Sequence, residues 1–195
     1  MKIQSRQDFW QQLVTQICRE YAQLNQDEKS WIIRHCQLMG VLQQKLDRVF
    51  LQAQGEDLCR NCQGECCARG HNHMSLANLL ALLCVDQQLP LLDFSQTCPL
   101  LTPKGCQLPA AYRPYNCISF VCERIEPQLN PQQLAEFYQT EKELRQLYRL
   151  FLERYAGASM SGLLIAAARL QGRPFLQRTP ASLIAEPGAT YATSF

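Results

Sequence analysis

The chain has 195 residues, of which 47% are hydrophobic and 18% are charged. This length and composition predict a single globular domain and argue against global disorder. The formal net charge of +2 excludes a strongly basic nucleic-acid-binding protein. No apolar run approaches the roughly 20 residues that a membrane helix requires, so we expect no membrane association.

Cysteine is the residue type whose number and placement stand out. The chain has 11 cysteines, and nine of them lie between Cys59 and Cys122. The first residues, Met1 to Asp8, carry charges of both signs and no apolar stretch, so we predict no secretory signal and a cytoplasmic location. In a reducing compartment a cysteine cluster indicates metal binding or redox chemistry rather than a disulfide framework.

Residues 6–54 are predicted to form two helices, because apolar side chains recur there at steps of three and four residues. The first stripe consists of Phe9, Trp10, Leu13, Val14, Ile17, Tyr21 and Leu24, and the second of Trp31, Ile32, His35, Leu38, Leu42, Leu46, Val49 and Phe50. Between the stripes, Asn25 and Glu28 are spaced like an N-cap residue and its capping-box partner. Gly55 is predicted to end the second helix.

Residues 56–123 form the cysteine-rich segment. Its closely spaced glycines and prolines argue against long regular elements. The exception is Ser75 to Gln88, which is rich in leucine and begins with a candidate N-cap serine. We predict one buried helix there, between two loop regions that carry the cysteines.

Residues 130–172 are predicted to be helical again. The Asn130-Pro131 pair is typical of an N-cap followed by proline at the first helical position, and Gly157 is predicted to end this long helix. A shorter helix is predicted over Met160–Gln171. Residues 178–195 are rich in proline and small polar residues, which predicts an extended tail.

Eight cysteines of the central segment form two sets of four, Cys59, Cys62, Cys66 and Cys67, and then Cys98, Cys106, Cys117 and Cys122. Two cysteines separated by two residues can direct both sulfur atoms at one centre, as in zinc knuckles and iron–sulfur loops. Thiolates select zinc, Cu(I) and iron–sulfur clusters over hard cations. The two sets permit one four-cysteine site with a supporting set, two sites, or a cluster.

These motifs resemble the YkgJ-type cysteine-cluster family, which is described as a zinc- or iron-chelating domain. The family pattern runs CxxCxxxCC, then Cys-Pro with a downstream Gly-Cys, then RPxxCRxFxC. The matching residues are the eight cysteines together with Pro99, Gly105, Arg113, Pro114 and Phe120. The resemblance covers residues 59–122 and implies that these cysteines hold zinc or iron. Ile118 departs from the pattern, which has arginine at that position.

Other residues near these motifs have more ordinary interpretations. Cys18, Cys36 and Cys84 lie in apolar stripes and are predicted to be packing residues. His71 and His73 follow the first cysteine set and could bind a metal, but a solvated loop or a helix-start hydrogen bond is the favoured interpretation. Structural hydrogen bonding is favoured for Arg113. A solvated helix face is predicted for Arg145, Arg149 and Arg154.

The sequence thus predicts a mainly α protein, a single domain over residues 1–195, in which helices flank an irregular cysteine-rich metal-binding centre. Three function classes remain open: an iron–sulfur protein in redox or electron-transfer chemistry, a zinc-stabilised protein-interaction module without catalytic activity, and a metal-handling protein. No nucleotide-binding, hydrolase or metalloprotease motif is present, so the sequence does not decide whether the protein is an enzyme.

Overall fold

The computed structural model describes residues 3–61, 70–85, 89–90, 92–102 and 105–179, with the backbone alone at 3–5 and 59–61. Within these ranges there are seven α-helices, α1 (Ile3–Gln23), α2 (Gln26–Gln52), α3 (Gly55–Asn61), α4 (Leu76–Leu83), α5 (Tyr115–Ile118), α6 (Pro131–Arg154) and α7 (Leu163–Leu170). The prediction of a mainly α protein is therefore confirmed. None of the described helices is long and apolar enough to cross a membrane.

A small antiparallel sheet interrupts the helices inside the cysteine-rich segment. Strands β1 (Leu101–Thr102) and β2 (Gly105–Cys106) pair with Leu101 opposite Cys106. Single 3-10 turns follow at Ala110–Tyr112 and Glu126–Gln128. Beyond α4, the described part of this segment is thus built from very short elements, in agreement with its glycine and proline content.

Helix α2 is the central element of the fold. It contacts α3, α4, α5, α6 and the Ala110–Tyr112 turn, while α1 packs against α7. The predicted stripes supply most of the buried core of α1 and α2, but Leu38 of the second stripe is 48% exposed and Met39, which was not predicted, is buried instead. Helix α6 adds a third apolar face. The buried residues of the three helices include Trp10, Leu13, Val14, Ile17, Ile32, Met39, Leu46, Val49, Phe137, Leu144, Tyr148 and Phe151. Burial of each large side chain contributes about 1.5–3 kcal/mol, so this helical core dominates stability.

Helix α4 begins at the predicted N-cap but is shorter than predicted. The Ser75 side chain accepts a hydrogen bond from the Asn78 N–H, and the Asn78 side chain accepts one from the Ser75 N–H. The two bonds form a capping box. Every residue from Leu76 to Leu82 is buried, as expected for a helix that is apolar on all sides. The helix ends at Leu83, with Cys84 as its C-cap, and residues 86–88 of the predicted helix lie outside the described residues.

Two glycines act differently from the predictions. Gly55 does not end α2 but begins α3, and the turn between them is made by Gln54, whose φ is +54°. Helix α6 ends at Arg154, before Gly157. A Cβ at Gly157 would lie 2.6 Å from the Cα of Phe175, so this glycine is required for close approach of two chain segments.

Glu28 joins the start of α2 to the end of α6. Its carboxylate accepts two hydrogen bonds from Arg154, at 2.8 and 2.6 Å, and one from the Tyr155 hydroxyl at 2.5 Å. Arg178 contributes a further ion pair at 2.9 Å. The prediction that Arg154 lies on a solvated face is therefore wrong: its guanidinium also lies 4.1 Å from the centre of the Trp31 ring.

We expect Glu28→Gln to lower the free energy of unfolding at pH 7 by about 2 kcal/mol, the scale of hydrogen bonds to a charged group. The hydrogen bonds from Arg154, then those from Tyr155 and Arg178, lower the pKa of Glu28 from 4.5 to about 2. Because the folded-state pKa is the lower one, the carboxylate stabilises the fold above pH 4.5, and this contribution is lost as the pH falls towards 2. Urea unfolding across this range should show the two proteins converging in stability at acid pH.

Asp27→Asn is the matched control, because Asp27 occupies the same first turn of α2 and is exposed. Its effect should stay within about 0.5 kcal/mol. A Glu28→Gln protein as stable as the parent at pH 7 would contradict the importance of this network.

Candidate metal centre

The first set of predicted ligands lies almost entirely outside the described residues. Cys62, Cys66 and Cys67 belong to the undescribed range 62–69, and Cys59 is described only through the backbone of α3. The second set is described completely. Its four members are Cys98, Cys106, Cys117 and Cys122, of which Cys98, Cys106 and Cys122 are free thiols among the described residues.

Cys98 occupies a tight turn. It is buried, and its carbonyl accepts a hydrogen bond from the Leu101 N–H at 3.0 Å. Burial raises the pKa of the Cys98 thiol, and Cys106 raises it further, whereas the nearby backbone of Leu100 and Leu101 lowers it. A lower pKa favours the thiolate, which is the form that binds a metal.

Gly70 packs directly on the Cys98 thiol. A Cβ at Gly70 would lie 2.6 Å from the Cys98 sulfur and 2.7 Å from its Cβ. Gly70 follows Cys67, the last residue of the first cysteine set, by three residues in the sequence. A residue shortly after the first set therefore packs on a member of the second set.

Cys117 is held in place by the Arg113-Pro114 motif that precedes it. The Arg113 carbonyl accepts hydrogen bonds from the buried amides of Gln43 in α2 and Asn78 in α4, the latter at 3.1 Å. The Arg113 side chain donates to the Leu108 carbonyl at 3.2 Å and pairs with Asp47 at 3.1 Å. The structural role predicted for Arg113 is thus confirmed, and it anchors the start of α5.

The remainder of α5 is tied to the core by its neighbours. The Tyr115 hydroxyl donates to the buried Glu141 carboxylate, which Arg145 also contacts at 2.7 Å. Ile118, the departure from the YkgJ pattern, is buried in the hydrophobic core. Cys122 follows, half-buried, and its carbonyl accepts hydrogen bonds from Ile125 and Glu126 at 2.9 Å.

The two histidines differ sharply in their contacts. His73 lies with Nδ1 at 3.1 Å from the Cys117 sulfur and is half-buried, and its burial lowers the pKa of the imidazole. His71 contacts Arg6 at 2.8 Å and the Gln96 carbonyl at 2.7 Å. The loop hydrogen bonding predicted for both residues is therefore confirmed for His71, whereas His73 contacts a predicted ligand.

The 3-10 turn at residues 70–72 and the residue after it follow the first cysteine set in the sequence and contact the second set. Gly70 touches Cys98 and His73 touches Cys117, so one short stretch contacts two members of the second set. Over the described ranges, no three His, Cys, Asp or Glu side chains converge as a metal site. Among the side chains that the structure places, each of these contacts therefore joins one residue of the stretch to one cysteine.

Two of the three cysteines predicted to be packing residues, Cys36 and Cys84, interact with each other. Cys36 is buried in α2, where its thiol donates to the Ala77 carbonyl at 4.0 Å, and Cys84 at the end of α4 raises its pKa. The Tyr21 hydroxyl lies 3.4 Å from the Cys84 sulfur. The hydrogen bond to Cys36 lowers the pKa of Cys84, with a smaller contribution from Tyr21, while the pKa of Cys36 is raised. Sequence patterns gave no sign of this contact, because it joins three helices.

Comparison with other proteins assigns the chain to no family. No family model, curated protein or solved structure matches it. The YkgJ resemblance therefore rests on the spacing of cysteine, proline and glycine alone, and the chemistry of the site must be argued from its own contacts.

We expect Cys84 to be alkylated by iodoacetamide at lower pH than Cys18, since the thiolate is the reactive form. Burial raises the pKa of Cys18, whereas hydrogen bonds lower that of Cys84. Tyr21→Phe should shift Cys84 labelling to higher pH by removing one donor. Peptide mapping by mass spectrometry follows each cysteine separately, and labelling of buried Cys36 ahead of Cys84 would contradict the assignment.

Asn78→Ala should lower the free energy of unfolding by about 3 kcal/mol. The change removes the capping-box partner of Ser75 and the donors to the Arg113 carbonyl and the Tyr148 hydroxyl. Loss of a cap costs about 1 kcal/mol, and each buried group left without a partner costs about 1–3 kcal/mol. Urea unfolding measures the effect. Asn116→Ala is the control, because Asn116 is exposed. If the Asn78→Ala and Asn116→Ala proteins are equally stable, the anchoring role of Asn78 is refuted.

Proposed function

We propose that this protein is a metalloprotein whose cysteines in segment 59–122 hold an iron–sulfur cluster or zinc. One observation carries the proposal: the stretch at residues 70–73, which follows the first cysteine set in the sequence, packs on two members of the second set. Gly70 lies against the Cys98 thiol, and His73 Nδ1 lies 3.1 Å from the Cys117 sulfur. Close packing around a cysteine ligand orients its thiolate for a metal.

The donor set fits these metals. The residues that would hold the group are Cys98, Cys106, Cys117 and Cys122, together with Cys59, Cys62, Cys66 and Cys67. All are soft sulfur ligands, which suit zinc and iron–sulfur clusters. When bound, a cluster supplies one-electron redox chemistry, whereas zinc supplies a structural cross-link.

Metal binding would also stabilise the fold. The part of the cysteine-rich segment that carries the second cysteine set, residues 98–122, has two strands of two residues each and a four-residue helix among its described residues. Elements this short gain little stability from their own hydrogen bonds, so a metal that joins them contributes folding free energy directly. The predicted cytoplasmic location agrees with this proposal, since reduced thiols are available there.

A zinc-stabilised protein-interaction module is the second candidate. Phe120 lies between Cys117 and Cys122 with 55% of its surface exposed. An exposed aromatic side chain beside a rigid metal site is a suitable anchor for a protein partner. A metal-handling role would instead require loading that exchanges readily.

Purification without oxygen, followed by absorption spectroscopy and elemental analysis, tests the proposal. Iron with acid-labile sulfide and a broad visible absorption band would establish a cluster, whereas stoichiometric zinc in a colourless protein would establish a zinc site and favour the interaction-module candidate. A protein that contains neither metal, with its thiols oxidised in pairs, would overturn the proposal.

Gly70→Ala should weaken metal binding by about tenfold or more, the usual cost of disturbing a ligand's supporting shell. The added Cβ would lie 2.6 Å from the Cys98 sulfur and force it away from its position. Metal retained per protein after competition with a chelator is the measurement.

Gly40→Ala is the matched control for this substitution. A Cβ at Gly40 would lie 3.6 Å from Ala111, which is an ordinary contact, so metal retention should not change. Equal metal retention by the Gly70→Ala and Gly40→Ala proteins would contradict the packing of Cys98 against the metal-binding segment.

A further inference from the structure

We propose that His73 is a nitrogen ligand of the metal centre, bound beside Cys117 in a mixed histidine–cysteine site. The inference rests on the proposed function and adds to it a ligand outside the eight cysteines. It is carried by the contact between His73 Nδ1 and the Cys117 sulfur.

The separation of the two atoms is close to that of two ligands on one metal ion. With a metal–nitrogen distance of about 2.0 Å and a metal–sulfur distance of about 2.3 Å, tetrahedral geometry places the two ligand atoms about 3.5 Å apart. In the structure they are 3.1 Å apart. A change of a few tenths of an ångström, within the range of small side-chain rotations, would complete the geometry.

The backbone holds His73 in this position from both sides. On one side, its own N–H donates to the Gly70 carbonyl at 3.2 Å and closes the turn that packs on Cys98. On the other, the N–H of Leu163 at the start of α7 donates to the Met74 carbonyl at 2.8 Å. The imidazole is therefore presented to Cys117 by a fixed segment, as preorganised metal ligands require.

Gly162 shows how closely α7 packs on the segment that carries His73. Its φ is +87°, and a Cβ at this position would collide with the Asn72 carbonyl oxygen. The position before α7 requires a backbone conformation that glycine adopts easily and other residues do not. The close contact made there leaves residues 72–74 little room to move.

His71 shows that proximity in sequence does not explain the contact. It lies two residues before His73, yet its ring contacts Arg6, Gln96 and Phe94. Nδ1 and Nε2 of His71 both have protein partners, so His71 is already satisfied without a metal. The pair provides a matched comparison within one short segment.

X-ray absorption at the metal edge of the full-length protein tests the inference. We expect the parent protein to show a nitrogen shell near 2.0 Å beside sulfur near 2.3 Å. His73→Ala should lose the nitrogen shell and lower metal affinity by about tenfold or more. His73→Cys should recover the metal with sulfur scattering only, and His71→Ala should leave both shells unchanged.

The outcomes separate this inference from the proposed function. A parent protein that binds no metal overturns both. A parent protein with an all-sulfur shell, or a His73→Ala protein that keeps the nitrogen shell, overturns the histidine assignment while the cysteine-ligated metal stands. Because the parent spectrum alone tests for nitrogen, the result does not depend on whether the variants fold.

Discussion

One backbone carbonyl, that of Arg113, joins the cysteine-rich segment to the helical core. It accepts hydrogen bonds from Gln43 and Asn78, two amides that are each only 1% exposed and that belong to different helices. Buried amides without partners would cost about 1–3 kcal/mol each, so the segment cannot leave this position without a large penalty. The position of Cys117, four residues later, follows from this constraint.

A rigid helical frame supporting short, irregular connections is a suitable arrangement for a metal centre. Helices α2, α4 and α6 fill the core with large apolar side chains, while Cys98 and Cys117 lie on turns and a single helical turn. Turns can bring residues from separate segments against a cysteine, as Gly70 packs on Cys98 and His73 contacts Cys117.

The sequence predicted the features that depend on local patterns. The capping residues Asn25, Ser75 and Asn130 and the proline start of α6 lie where capping rules put them. The stripes of α1 and α2 hold for most of their residues, although Leu38 is exposed and Met39 is buried instead. The contacts of Arg154 and Gly157 were missed because they depend on how distant segments approach one another. Glycine at a close approach and glycine at a helix end look the same in a sequence.

The difference between local patterns and contacts of distant segments also explains which parts of the site were predicted. Cysteine spacing alone indicates the ligand type, and it places Cys98 in a turn with a following proline. His73 could not be separated from His71 by sequence, because two histidines in one tetrapeptide carry the same local signal. Only the fold, through α5 and the docking of α7, brings Cys117 to one histidine and leaves the other to Arg6.

A nitrogen ligand would change the chemistry of the centre according to the metal it holds. Neutral imidazole in place of a thiolate removes one negative charge from the ligand set. For an iron–sulfur cluster this substitution raises the reduction potential, as histidine ligation does in Rieske-type centres. For zinc it leaves a closed Cys₃His site in which the metal acts only as a cross-link. Under the proposed ligation, the identity of the metal would decide whether His73 tunes an electron-transfer centre or helps to hold the turn at residues 70–72 against α5.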